Sequence, residues 1–187
     1  MTPVSTDLDR RFRAAAAREH LLDVAYDLVD TPIGTLLVAA TDRGLCRIAY
    51  DADPERELDL LARVFGLRVL RSPVPIDPAR RQLDEYFAGK RQRFDLDVDL
   101  ALQADFNRRV LRELSRVPYG DVVTYGELAM RAARPRAARA VGTVMNRNPL
   151  PIVLPCHRVI GSNGKLVGYG GGLHRKEALL RLEGALL

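Results

Sequence analysis

Pro155-Cys156-His157-Arg158-Val159 sets a thiol directly beside an imidazole, in a segment bounded by apolar residues and by the glycine-rich run Tyr169-Gly170-Gly171-Gly172. A cysteine is a nucleophile only as its thiolate, and a free thiol with a pKa of about 8.5 is about a few per cent ionised at neutral pH. His157 is the only histidine close to it in sequence, and an imidazole can accept a proton in the physiological range. Neighbouring residues rarely point their side chains at each other, so the transfer is expected to run through a water or a tight turn. The alternative is that Cys156 is simply core, since free cysteine is among the most buried residue types. The pentapeptide alone leaves both readings open, and its surroundings have to decide.

Upstream of it the pattern is helical. Phe106, Val110, Leu111 and Leu114 recur at helical spacing up to Pro118-Tyr119-Gly120. Thr124 opens a second helix with Glu127 three positions later, the pattern of a capping box, and that helix ends near Arg134-Pro135. A third helix is expected from Arg136 to about Asn146, with Arg136, Arg139 and Arg147 at its ends and on one face. Two short helices joined by a tight turn, the second one basic, make a helix-turn-helix candidate. Ala137, Ala138, Ala140, Gly142 and Thr143 leave little side chain between the second helix and a partner. A major-groove reader carries Asn, Gln or Arg towards base edges, whereas small residues permit the close approach that suits a minor groove about 6 Å wide. The alternative is that these alanines pack against the neighbouring helix.

The first half reads as a small α/β domain. Ile33–Ala40 and Leu45–Tyr50 are apolar runs separated by Thr41-Asp42-Arg43-Gly44, which has hairpin chemistry, and Cys46 lies in the second run as a core residue. Asp53-Pro54 and Asp77-Pro78 read as N-caps followed by proline at the first helical position, with Gly66 and Gly89 placed as C-terminal glycines. Phe94–Leu100 alternates apolar and acidic residues, as a half-buried strand does. Residues 10 to 22 have the composition of a short appended helix, to which no function is assigned.

Composition bounds the rest. A chain of 187 residues can bury a real core, and two cysteines are too few for a disulfide framework or a cysteine-rich metal site. No apolar run approaches the 18 or so residues that span a bilayer, and no signal-peptide hydrophobic region is seen, so a cytoplasmic protein with no membrane partner is expected. Residues 1–100 carry 15 basic against 18 acidic side chains and residues 101–187 carry 14 against 6. That asymmetry suggests an anionic partner for the second half, nucleic acid first among them; the alternative, which composition alone leaves standing, is a solvated basic face. His20, His157 and His174 are far apart and Cys46 has no partner at ligand spacing, so no metal and no cofactor are expected.

Tyr125, Arg136-Ala137-Ala138-Arg139-Ala140-Val141-Gly142, Asn148-Pro149, Pro155–Val159, Tyr169-Gly170-Gly171-Gly172-Leu173 and Glu183-Gly184 stand in the order and spacing that resemble O6-alkylguanine-DNA alkyltransferases. The resemblance is close from about residue 105 to 187, looser over the α/β half, and does not cover residues 1 to about 22. It implies an α/β N-terminal domain, a small antiparallel sheet with helices, followed by a mostly α-helical C-terminal domain with a helix-turn-helix. The expected division is an extension over 1–22, the α/β domain over 23–100, and the DNA-binding and alkyl-acceptor domain over 101–187.

The resemblance also implies roles. The partner is double-stranded DNA containing O6-alkylguanine, bound through the minor groove by a protein that is monomeric when free. Cys156 is the alkyl acceptor, His157 the base that draws its proton through a water, Glu183 the carboxylate that orients the histidine, and Asn148 the support of the active-site turn. Tyr125 displaces the phosphate beside the target, Arg139 enters the stack in place of the flipped base, and Ala137, Ala138 and Gly142 allow close approach. Tyr169, Gly170, Val159 and Met145 line the pocket. Gly170 stands where many members carry serine, which removes a hydroxyl, enlarges the pocket and predicts tolerance of alkyl groups larger than methyl. The competing readings are a non-catalytic lesion binder, in which the cysteine is typically replaced, a helix-turn-helix regulator, and a thiol hydrolase using Cys156 and His157.

Overall fold

The computed structural model describes residues 6–19, 21–51 and 53–185. The chain divides into two compact units, one running to Glu85 and including Asp95–Asp99, the other made of Tyr86–Phe94 and Leu100 onward.

In the first unit, β2 (Leu36–Thr41) and β3 (Gly44–Tyr50) form the hairpin expected around Asp42-Arg43, with Leu36 opposite Tyr50 and Thr41 opposite Gly44. Gly44 has φ 126°, and a Cβ there would lie 2.4 Å from the Asp97 carbonyl oxygen, so both conformation and space demand glycine. β1 (Val24–Val29) pairs antiparallel with β2, and β4 (Val69–Arg71) pairs parallel with β1, giving the order β3-β2-β1-β4. The sheet is therefore mixed where an antiparallel one was expected: β4 is only three residues long, and it follows the helix that carries the chain back across the sheet. That helix is α2 (Pro54–Phe65), capped by the Asp53 carboxylate accepting from the Glu55 N–H at 3.1 Å, with Pro54 at its first position and the Gly66 N–H donating to the Ala62 carbonyl. Its Leu61 joins Val24, Leu37, Ala39, Cys46 and Ala49 in one core cluster, so Cys46 is a core residue, and burial pushes its thiol up to about 12.

Three expectations are corrected here. Asp77 is the first residue of α3 (Asp77–Phe87) and not its N-cap. Phe94–Leu100 does not form a strand; it keeps a single bridge from Val98 to Leu45. The alternation is present, but Asp99 turns inward, where Thr41 Oγ1 and Arg43 donate to its carboxylate, so side-chain bonds replace a continued ladder. The N-terminal helix, α1 (Thr6–Arg18), begins four residues before residue 10, and His20 of the expected stretch lies outside the described residues.

The second unit is mostly helical. α4 (Asp105–Leu114) buries Val110, Leu111 and Leu114. A two-residue strand, β5 (Val123–Thr124), pairs parallel with β6 (Val159–Ile160) and leads into α5 (Tyr125–Arg131). The capping box is complete: Thr124 Oγ1 accepts from the Glu127 N–H at 3.2 Å, and the Glu127 carboxylate accepts from the Thr124 N–H at 2.8 Å. α6 (Ala138–Asn146) starts two residues later than expected, because the turn from α5 extends to Ala137. α7 (Leu173–Leu182) closes the unit and was not anticipated. Among the described residues no helix is long and apolar enough to cross a membrane.

Candidate active site

Every site residue proposed from the sequence lies in the second unit. Cys156, His157 and Arg158 make one turn of 3-10 helix immediately before β6, all three buried. The approach to that turn is a loop held from within. Asn148 Nδ2 donates to the Leu154 carbonyl at 2.7 Å, and its Oδ1 accepts from the Leu150 N–H at 3.1 Å. Between them Ile152 is buried at φ 74°, a conformation that a β-branched residue reaches only at a cost of about 1–3 kcal/mol. Asn148 thus ties down the strained segment that delivers the cysteine.

The thiol of Cys156 is 4 % exposed. Burial pushes it up to about 11, against the opposing pull of hydrogen bonds from Asn148 and Tyr169 and of the Lys176 ammonium. At neutral pH about one molecule in ten thousand would hold a spontaneous thiolate, so a base is needed. His157 is completely buried and held below the ordinary imidazole range, first by burial and then by Arg158 and Lys176, with Glu183 pulling the other way. Its Nε2 lies 2.8 Å from Glu183 Oε1. The Glu183 carboxyl, although burial opposes ionisation, is drawn down to about 2 by its bonds to His157 and Arg158. An ionised carboxylate only accepts, so Nε2 carries the ring proton and Nδ1 presents its lone pair. Nδ1 is the one buried side-chain polar atom among the described residues without a hydrogen-bond partner.

Glu183 sits at the C-terminal cap of α7 and gathers more than the histidine. Arg158 binds it through both Nε and Nη2, at 2.8 and 2.9 Å, while its Nη1 donates to the Val117 carbonyl at 2.6 Å. The Tyr86 hydroxyl donates to Oε1 at 2.6 Å, and the Gly120 N–H approaches Oε2 at 3.4 Å. Lys176, fully buried on the same helix, donates to the carbonyls of Val159 at 2.5 Å and Val167 at 3.0 Å, and burial brings it down to about 8. Sequence reasoning missed Tyr86, Arg158 and Lys176; only Arg158, inside the opening pentapeptide, carried any local signal.

The remaining residues surround this centre. Tyr125, first residue of α5, donates its hydroxyl to the Val167 carbonyl at 3.1 Å, joining Lys176 on that oxygen. Cys156 lies close enough to raise the Tyr125 phenol, after burial, above its ordinary range. A Cβ on Gly142 would lie 3.8 Å from the Tyr125 ring, an ordinary contact distance, so α6 faces α5 at this position and the space would admit a methyl group. Ala137 and Ala138 are half-buried at the start of α6, Arg139 is exposed beside them, and Met145 and Val159 are buried. Tyr169 is half-buried and Gly170 exposed, the latter 3.4 Å from the Asn146 carbonyl when a Cβ is placed on it. No group of three or more His, Cys, Asp or Glu side chains among the described residues is placed to hold a metal ion.

Residues 105–185 match the family model described as 6-O-methylguanine DNA methyltransferase, DNA binding domain, and residues 24–100 match that of the ribonuclease-like domain of the same protein. The chain belongs to the 6-O-methylguanine DNA methyltransferase family. Its curated relatives include the methylated-DNA–protein-cysteine methyltransferase of Mycolicibacterium paratuberculosis, 44 % identical over 86 % of this chain and 92 % of that one. The protein of the same name from Mycobacterium leprae is 52 % identical over 83 % and 89 %. Among solved structures, Mycobacterium tuberculosis OGT in complex with DNA superposes with a TM-score of 0.76 at 40 % identity, over 86 % of this chain and 93 % of that one. The mixed sheet and helical second unit accord with that family's fold.

Proposed function

We propose that the protein is a DNA-repair alkyltransferase, a methylated-DNA–[protein]-cysteine S-methyltransferase that moves the alkyl group of O6-alkylguanine onto its own Cys156. The observation that carries this is a buried neutral thiol next to a histidine whose Nε2 is committed to an ionised carboxylate and whose Nδ1 is uncommitted.

The Cys156 proton passes through a water to His157 Nδ1, and Glu183 holds the resulting imidazolium, the nucleophile, base and orienter logic of catalytic triads. The thiolate attacks the alkyl carbon; the S–C bond forms as the C–O6 bond breaks, and guanine leaves as an anion that takes up one proton. Tyr169 and the N–H groups of the glycine loop donate to the purine as that charge develops. Lys176, while protonated, adds a positive charge near the sulfur. The product is a thioether that no group in the chain can cleave, so each molecule reacts once.

Double-stranded DNA is the partner. Ala137, Ala138 and Gly142 admit it through the minor groove, Tyr125 displaces the phosphate beside the target, and Arg139 fills the stack once the base is flipped, offsetting part of an unstacking cost of about a few kcal/mol. Gly170, Val159 and Met145 complete the pocket. The protein works without a cofactor, as a cytoplasmic protein that is monomeric when free.

The test is the mass of the Cys156 peptide after incubation with a duplex carrying one O6-methylguanine. One added methyl group at a stoichiometry near one, lost in Cys156→Ser, is expected. Tight binding with an unmodified peptide would instead identify a lesion binder.

A further inference from the structure

Glu183 Oε1 receives three donors: the Tyr86 hydroxyl at 2.6 Å, His157 Nε2 at 2.8 Å and Arg158 Nη2 at 2.9 Å. A carboxylate oxygen offers two lone pairs, so the three share it and each bond is weaker than it would be alone. Arg158 is pinned by its second bond to Oε2 and by the Val117 carbonyl. The phenol and the imidazole are left to compete. Tyr86 is fully buried, with its ring edge-on to Tyr119 at 6.1 Å and against Phe87 and Phe94 at 5.2 and 5.4 Å. It has no freedom to turn away, and burial together with the Glu183 charge keeps its hydroxyl protonated.

We infer that Tyr86 is a positioning residue for the proton relay: by occupying Oε1 beside His157, its hydroxyl orients the Glu183 carboxylate and limits how strongly that oxygen draws on the imidazole. The inference rests on the relay proposed above. Tyr86 acts through Glu183, and the other charged or titratable groups around the pair are Arg158, Lys176, Cys156 and Tyr119.

Tyr86→Phe deletes the donor and keeps the packed ring. Oε1 then binds His157 Nε2–H more tightly, which favours the imidazolium. Two effects follow. The form bearing both thiol and imidazolium, which has no base, persists to higher pH, so the acid limb of the transfer rate moves up by about one pH unit. Above that limb the thiolate–imidazolium form gains, and the plateau rate rises by up to about tenfold. A merely structural role would lower the plateau and leave the limb in place. Replacing Tyr86 by 3-fluorotyrosine, a stronger donor, moves the limb the opposite way.

The experiment is a single-turnover rate profile from pH 5 to 9 on saturating O6-methylguanine duplex, paired with a nitrogen-15 titration of the His157 ring in unreacted protein. An upward shift of limb and ring titration in Tyr86→Phe, with the fluorinated variant shifted down, supports the inference. Methylation of Cys156 in every variant with both readings unmoved overturns it while the proposed function stands. If wild-type protein leaves Cys156 unmethylated, the function fails, and the ring titration still decides the role of Tyr86.

Discussion

Replacing Glu183 by Gln removes one negative charge and almost no volume, so its effect isolates the electrostatics of the centre. The Arg158 and Glu183 side chains are 6 % and 0 % exposed and meet in a two-point contact. Without the carboxylate the guanidinium loses its counter-charge and one of its two acceptor oxygens, keeping at best one neutral amide oxygen beside the Val117 carbonyl and the face of Tyr119. Breaking a buried pair from one side costs about 3–5 kcal/mol. The carboxyl itself gives a second route to the magnitude: a fall from 4.5 to about 2 corresponds to about 3 kcal/mol of folding stability. Because the folded value is depressed, this contribution is complete above the unfolded value and is lost as pH falls from 4.5 towards 2. Urea unfolding of unreacted protein at pH 7.5 should therefore show the midpoint of Glu183→Gln lowered by about 1.5–2.5 M, taking a slope of about 2 kcal/mol per M. The gap between wild type and variant should stay constant from pH 8 to 5 and close below pH 4. Adding Arg158→Met should recover at least half of the loss, since the stranded cation is then gone. A midpoint drop under about 0.5 M, or a gap that widens as pH falls, would refute the account of Glu183 as the ionised hub.

Arg139→Ala should slow repair of O6-methylguanine in duplex far more than transfer from free O6-benzylguanine, measured as single-turnover rates; equal losses on both would sink its role in the stack. Gly170→Ser should slow transfer of groups larger than methyl while sparing methyl; Gly170 is exposed and outside the left-handed region, so the change is tolerated structurally, and comparable rates on bulky lesions would count against the enlarged pocket. Asn148→Ala leaves the Leu150 N–H unpaired and the Leu154 carbonyl with only the Cys156 N–H, around strained Ile152, and should cost about 1–3 kcal/mol in thermal or urea unfolding, with a matching loss of alkyl transfer. Thr124→Ala removes the cap of α5 and should cost only about 1 kcal/mol, leaving transfer from the free base unchanged.

Local chemistry was legible wherever a few adjacent residues decide the structure. The Thr41–Gly44 hairpin, the Asp53-Pro54 cap and the Thr124–Glu127 capping box each complete their bonds within a handful of residues, and each formed as read. β4 was invisible because three residues make a strand only when β1 is there to pair with them. The acidic alternation of Phe94–Leu100 misled because it turns every carboxylate outward, whereas Asp99 is buried and accepts from Thr41 and Arg43. The proposed nucleophile and the proposed base stand in adjacent letters, and one buried turn holds both. The environment that tunes them could not be read locally: Tyr86 reaches Glu183 across 97 positions, and nothing in its neighbourhood marks it as other than a core aromatic.

That environment explains why a single-use protein carries so unreactive a thiol. A low-pKa, accessible cysteine is open to adventitious alkylation and oxidation as well as to its intended reaction. Here any adventitious alkylation or oxidation of Cys156 destroys the molecule. Burial that lifts the thiol to about 11, and a histidine that burial holds in its neutral form, keep the resting thiol and imidazole uncharged. Reactivity follows thiolate character and exposure, and both are low. Glu183 is placed to stabilise the imidazolium only once the proton has moved, yet Arg158 and Tyr86 already draw on its charge, so the ion pair is withheld until a bound alkyl group can consume the thiolate. On this reasoning, relaxing the hub should speed transfer and shorten the working life of the unreacted protein together. Tyr86→Phe should therefore react faster with iodoacetamide in the absence of DNA, and a variant with faster repair but unchanged iodoacetamide reactivity would separate the two properties and refute the link.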